Sequence, residues 1–168
     1  MFDIIYFTFI ASLMCAMYFV VYFVAPKFFE KTSAPLAWKH TLRSLVVILV
    51  TAFIAMYLVF ATPSEWWGNR IQHALGGGFV ATMVCYLAVK DSKIKLSYLQ
   101  FIFATLMLVS LLGVGNEVVE YLAQHFLDII SAATVDDTWL DLVSNLVGIA
   151  VGLICFTPFI RNNSEARI

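Results

Sequence analysis

Charge is what this sequence has least of. Only 12% of its 168 residues are Asp, Glu, Lys or Arg, while 62% are apolar. A soluble domain carries about 25% charged residues to cover its surface, so a water-soluble globule is excluded. The formal net charge is −1, which leaves no basic surface for a nucleic acid. Cysteine and proline are also scarce, at three and four residues. Cys15, Cys85 and Cys155 sit apart, each inside an apolar run, and read as small buried hydrophobes rather than disulfides or metal ligands. A basic region ahead of the first apolar run is missing too. That run continues to Pro26, longer than the apolar core of a cleaved signal peptide, so a retained first helix is expected. No soluble domain, internal repeat or low-complexity tract is visible.

What remains is long apolar runs. A membrane-spanning helix needs about 20 residues at a rise of about 1.5 Å each. Five runs qualify, at about 2–25, 43–62, 71–89, 97–117 and 139–160. The expected fold is therefore all-α: a polytopic membrane helix bundle forming a single integral domain over 1–168. Pro26, Pro35 and a cluster of Lys mark 26–42 as a loop. Pro63, Ser64 and Glu65 break the chain after the second run, and Trp66-Trp67 follow as an aromatic belt at the far interface. The turn Lys90-Asp91-Ser92-Lys93 brings it back. In 118–131 the apolar residues Leu122, Phe126, Ile129 and Ile130 keep helical spacing, with Gln124, His125 and Asp128 on the other side. That pattern suits a helix lying in the interface, and it equally suits a continuation of the fourth span. Thr134 to Thr138 opens the last helix, with Asp136 or Asp137 as its cap.

The few charges are unevenly placed. Nine of the ten Lys and Arg residues lie in three segments: Lys27, Lys31, Lys39 and Arg43; Lys90, Lys93 and Lys95; Arg161 and Arg167. Basic residues stay on the cytoplasmic side, so the N-terminus is expected outside and the C-terminus in the cytoplasm. The expected location is a cell membrane crossed several times, the inner membrane if the source is bacterial.

The opposite ends of the same helices collect Arg70, His73, Glu117, Glu120, Asp136, Asp137 and Asp141. Asn69 and His73 are one turn apart, Glu117 and Glu120 share a face at i and i+3, and Asp137, Asp141 and Asn145 descend one stripe. Asn145 lies nearly two turns inside the bilayer and needs a partner there. His73, Glu117, Glu120, Asp137 and Asp141 form a hard, oxygen-rich ligand set suited to a divalent metal ion of undetermined identity. The same residues could instead hydrogen-bond three helices together, or carry protons. Asn69, Arg70, Asn145 and Gly148 read as structural polar and packing positions. Gly76-Gly77-Gly78, Gly148 and Gly152 give small faces for close helix approach. His40 is on the basic side, and His125, Asp128 and Glu65 read as interfacial or solvated.

Asn69-Arg70-Ile71-Gln72-His73 resembles the Asp-Lys-x-x-His opening of VanZ-like membrane proteins, with Asn69 where Asp is usual. Glu117-Val118-Val119-Glu120 sits where that family has Glu-x-x-Gln. Asp141-Leu142-Val143-Ser144-Asn145-Leu146-Val147-Gly148 is similar to its Asp-x-x-x-Asn-x-x-Gly signature. Glu117, Glu120, Asp137 and Asp141 also resemble the pattern of the YjdF-like group. The likeness covers about 66–155 and lacks the Arg common between the Glu and final Asp motifs. It implies a cell-envelope protein linked to glycopeptide resistance, with no settled reaction.

Together these readings lead to an outer-leaflet pocket that binds or hydrolyses an amphiphile, such as a lipid-linked phosphate or glycan. In the enzymatic version, a metal-dependent membrane hydrolase, His73, Glu117, Glu120 and Asp141 are the catalytic candidates. The alternative is a non-catalytic accessory or structural subunit whose polar cluster only packs helices. Partners would be a membrane lipid or lipid-linked substrate, with a protein partner or a homo-oligomer left open. Transport fits less well, because no inverted repeat is seen and the polar groups stop near one face.

Overall fold

The computed structural model describes residues 4–32, 34–128 and 134–160, and among these all regular structure is helical. Five helices are long and apolar enough to cross a membrane: α1 (Ile4–Phe28), α2 (Trp38–Ala61), α3 (Glu65–Ser92), α4 (Tyr98–Leu127) and α5 (Val135–Phe159). The last closes on a short 3-10 turn, Thr157–Phe159. Arg161 and Arg167 of the third basic segment lie outside the described residues, as do Ile129 and Ile130.

Each helix is longer than its apolar run, because backbone hydrogen bonding continues past the hydrocarbon boundary. Pro26 falls inside α1 and is buried there, so the helix runs on to Phe28 rather than giving way to a loop at the proline. The segment 118–127 prolongs α4 and is not a separate interfacial helix. Its apolar positions had the right period for either outcome, and an unbroken ladder needs no new helix nucleus. The cap of α5 is also corrected. Thr134, not Asp136 or Asp137, holds that place, its side chain accepting the Asp137 N–H at 3.2 Å. Ser64 does the same for α3, and Ser97 with Gln100 forms a capping box at the start of α4.

α3 is the centre of the bundle. Of its apolar stretch 56% is buried, against 22–28% for the other spans, and it packs on all four of them. Its middle, Gln72–Val80, is a π-helix between two α-helical ends. Gly77 and Gly78 lie here, and they let α5 come within backbone contact. A Cβ on Gly78 would stand 2.7 Å from the Gly148 Cα, and one on Gly152 would stand 2.7 Å from the Thr82 methyl. Gly76 faces open space instead. The expected close approach is thus carried by Gly77, Gly78, Gly148 and Gly152.

The two basic connections meet at one end. Ala34 N–H donates to Ser92 O at 2.9 Å, Lys31 Nζ donates to Lys95 O, and Tyr22 OH donates to Ala34 O at 3.0 Å. Lipid-facing residues such as Phe103, Met107, Leu111, Val147 and Ile154 are exposed along the outside of the bundle. Among the cysteines, all free, Cys85 is buried and Cys155 faces outward.

Candidate functional site

The end of the bundle remote from the lysines gathers side chains from α3, α4 and α5. Two groups form there, side by side. In the first, Arg70 of α3 reaches across to α5. Its Nη1 donates to the Asp137 backbone carbonyl at 3.0 Å and lies 2.8 Å from Asp141 Oδ1, while Nη2 pairs with Asp137 Oδ1. Asn69 Nδ2 lies 3.2 Å and 3.3 Å from the two Asp141 oxygens. The guanidinium also stands 5.5 Å above the Trp66 ring. Arg70 and Asp141 are both buried. A buried guanidinium and carboxylate are tolerable only when paired in this way.

The second group is His73, Glu117 and Glu120. One ligand atom from each lies within 4.8 Å of the others. His73 Nδ1 is 3.9 Å from Glu117 Oε1, and Asn116 Nδ2 donates to Glu120 Oε1 at 2.6 Å. The Glu117 side chain is only 6% exposed, yet neither of its oxygens has a hydrogen-bond partner among the described residues. A buried carboxylate without hydrogen-bond donors carries a desolvation penalty, and the nearest cationic group it could draw on is the His73 imidazole at 3.9 Å.

His73 joins the two groups. Its Nε2 is 3.3 Å from Asp141 Oδ1, and its Nδ1 is 3.4 Å from Asn145 Nδ2. Asn145 is wedged between Gly77 and Gly113: a Cβ on Gly113 would stand 3.0 Å from Asn145 Nδ2. The missing Cβ atoms make room for that buried amide, and its partner is the imidazole rather than a carboxylate. Its Oδ1 has no hydrogen-bond partner among the described residues. The local widening of the π-helix falls on the turn that carries His73, a place where such distortions are frequent at functional sites.

The sequence-level ligand set is therefore divided by the fold. His73, Glu117 and Glu120 lie close enough together that they could hold a cation, and a donor set of one imidazole and two carboxylates fits a divalent ion. Asp137 and Asp141 are engaged by Arg70 and Asn69, with Asp141 touching the cation group only through His73. Gly148 packs against Ala74 and Gly78. His125 is exposed and stacks on Tyr121, away from the group.

Three polar features lay beyond the sequence reading. Asn116 precedes Glu117 and sits at i−4 from Glu120, a spacing that could have revealed it. Gln72 Nε2 donates to Tyr6 OH at 2.8 Å, tying α3 to α1. At the opposite end Asp91, expected in the turn, is instead buried within α3. Its Oδ2 accepts from Tyr18 OH at 2.8 Å and from Ser44 Oγ at 2.6 Å. No family model, curated protein or solved structure matches this chain.

Proposed function

We propose that this chain is a VanZ-like envelope membrane protein that holds a divalent cation between His73, Glu117 and Glu120 near the outer leaflet. There it binds or hydrolyses a lipid-linked phosphate or glycan. The observation that carries this reading is Glu117: a buried carboxylate with no hydrogen-bond donor among the described residues, facing an imidazole and a second carboxylate. A cation would supply Glu117 with a partner and be held by all three. The outer-leaflet assignment rests on the lysines at the other end.

When bound, such an ion supplies Lewis acidity and a lowered pKa for a coordinated water. The chain's own residues do the rest. Glu117 and Glu120 set the charge of the site, and His73 fixes one side of it. Glu120, half-buried at the edge, is the carboxylate best placed to take a proton from an incoming water or hydroxyl. Both terminal nitrogens of Arg70 are engaged by Asp137 and Asp141, and only its Nε is without a hydrogen-bond partner among the described residues, so it holds the site's wall.

Elemental analysis of the detergent-purified protein tests the cation. About one divalent ion per chain is expected, lost in Glu117→Gln while helix content is kept. Equal ion content in the two proteins would sink the metal reading. Release of phosphate or glycan from a polyprenyl-linked substrate, abolished by chelation and restored by the ion, tests the reaction.

A second reading has its own support. The Arg70, Asn69, Asp137 and Asp141 contacts tie α3 to α5 as a lock, which is what a non-catalytic accessory subunit would need. That reading expects Glu117→Gln and Asp141→Asn to be tolerated, since the amides keep size and hydrogen-bonding capacity.

A further inference from the structure

We propose that His73 binds the cation through Nδ1, and that Asp141, whose Oδ1 faces Nε2, is the positioning residue that keeps the ring proton on Nε2. The inference rests on the cation reading above and specifies how its imidazole is used. It follows from what surrounds the two ring nitrogens.

Asp141 Oδ1 already faces the Arg70 guanidinium at 2.8 Å and the Asn69 amide at 3.2 Å, so it is an acceptor in this network. The same oxygen lies 3.3 Å from His73 Nε2. An acceptor there calls for a proton on Nε2, and a neutral ring then carries its lone pair on Nδ1. Asn145 agrees: its Nδ2 stands 3.4 Å from Nδ1, where a lone pair can accept it. Glu117 Oε1, at 3.9 Å from that same nitrogen, faces the lone pair favourably once a cation lies between them. The lone pair thus points to the side where the Glu117 oxygens lie, which have no hydrogen-bond partner among the described residues.

A ligating imidazole almost always donates its second N–H to a carboxylate or carbonyl, which fixes its tautomer and orientation. Asp141 Oδ1 stands on that side, 3.3 Å from Nε2 as a charge-pair contact that a small ring rotation would turn into a hydrogen bond, and Arg70 and Asn69 hold Asp141 in turn. The Arg70 network is therefore connected to the cation site as well as to helix packing.

The test uses the full chain in lipid nanodiscs, with isotope-labelled histidine and an NMR-active cadmium ion as the probe. Cadmium–nitrogen coupling is expected at Nδ1 of His73, with a slowly exchanging proton on Nε2. The exposed rings of His40 and His125 serve as controls. Asp141→Asn is expected to weaken cadmium binding by about ten- to a hundredfold and to shift the His73 proton between ring nitrogens. Coupling at Nε2, or an Asp141→Asn affinity within about twofold of the parent, would overturn the Nδ1 assignment and leave the cation reading standing. Absence of cadmium binding at His73 in the parent would overturn both. The wild-type spectrum needs no variant, so a folding defect in Asp141→Asn cannot obscure the result.

Discussion

Two carboxylates are buried at opposite ends of this bundle, and they are treated in opposite ways. Asp91, near the lysines, receives the hydroxyls of Tyr18 and Ser44 and so joins α3 to α1 and α2. Glu117, at the far end, is just as buried and receives no hydrogen bond among the described residues. Burial alone does not distinguish a structural acid from a functional one; the supply of donors does. Neutral hydroxyls satisfy Asp91 and leave it nothing to bind. Glu117 is left with an imidazole and another carboxylate, a combination that a cation would complete.

The largest effect is expected where an ion pair is broken. Arg70→Met leaves Asp137 and Asp141 without their cation, and should lower stability by about 3–5 kcal/mol, read from thermal unfolding in detergent. Survival with an unchanged midpoint would show that Arg70 does not hold the site's wall. Next comes the cation itself. At about 100 times its dissociation constant, an ion that binds only the folded protein should stabilise the parent by about 2.7 kcal/mol. Glu117→Gln should show no such gain, and its cation-free stability should equal or exceed the parent's, because an unsatisfied charge has gone. A loss of stability on that substitution would make Glu117 an acid of the Asp91 kind.

Asp91→Ala is the mirror experiment. It strands two buried hydroxyls and is expected to cost about 1–3 kcal/mol, with cation binding untouched. Smaller in scope is Gly148→Ala. Its Cβ would run into the Ala74 carbonyl and crowd Gly78 at 2.9 Å, and overpacking of this kind costs about 1–3 kcal/mol. Because the strain falls on the π-helix, cation affinity should drop with it; an unaffected affinity would separate helix packing from the site.

Much of this was legible in one dimension. The five spans follow from hydropathy, which is a sum over neighbouring residues. The side on which His73, Glu117 and Asp141 meet follows from counting crossings. The stripe of Asp137, Asp141 and Asn145 follows from helical period alone. Other features depend on how a helix is rotated against its neighbours, and no local pattern records that. Asp91 looked like part of a polar turn because the residues that bury and satisfy it, Tyr18 and Ser44, come from helices far away in sequence. The end of α4 was undecided for a related reason: an amphipathic stretch has the same period whether it lies in the interface or extends a span.

The sequence by itself determined that this is a membrane bundle and which ends of its helices carry the acids. It did so because the transfer of apolar surface and the placement of lysine act residue by residue. Only the tertiary structure divided those acids. The glycines of α3 and α5 let the helices close until Asn145 met His73 and Arg70 met Asp141. That contact drew Asp137 and Asp141 into a lock and left Glu117 facing His73. The division arises from pairwise distances of a few ångströms, over which hydrogen bonds and ion pairs are made or lost.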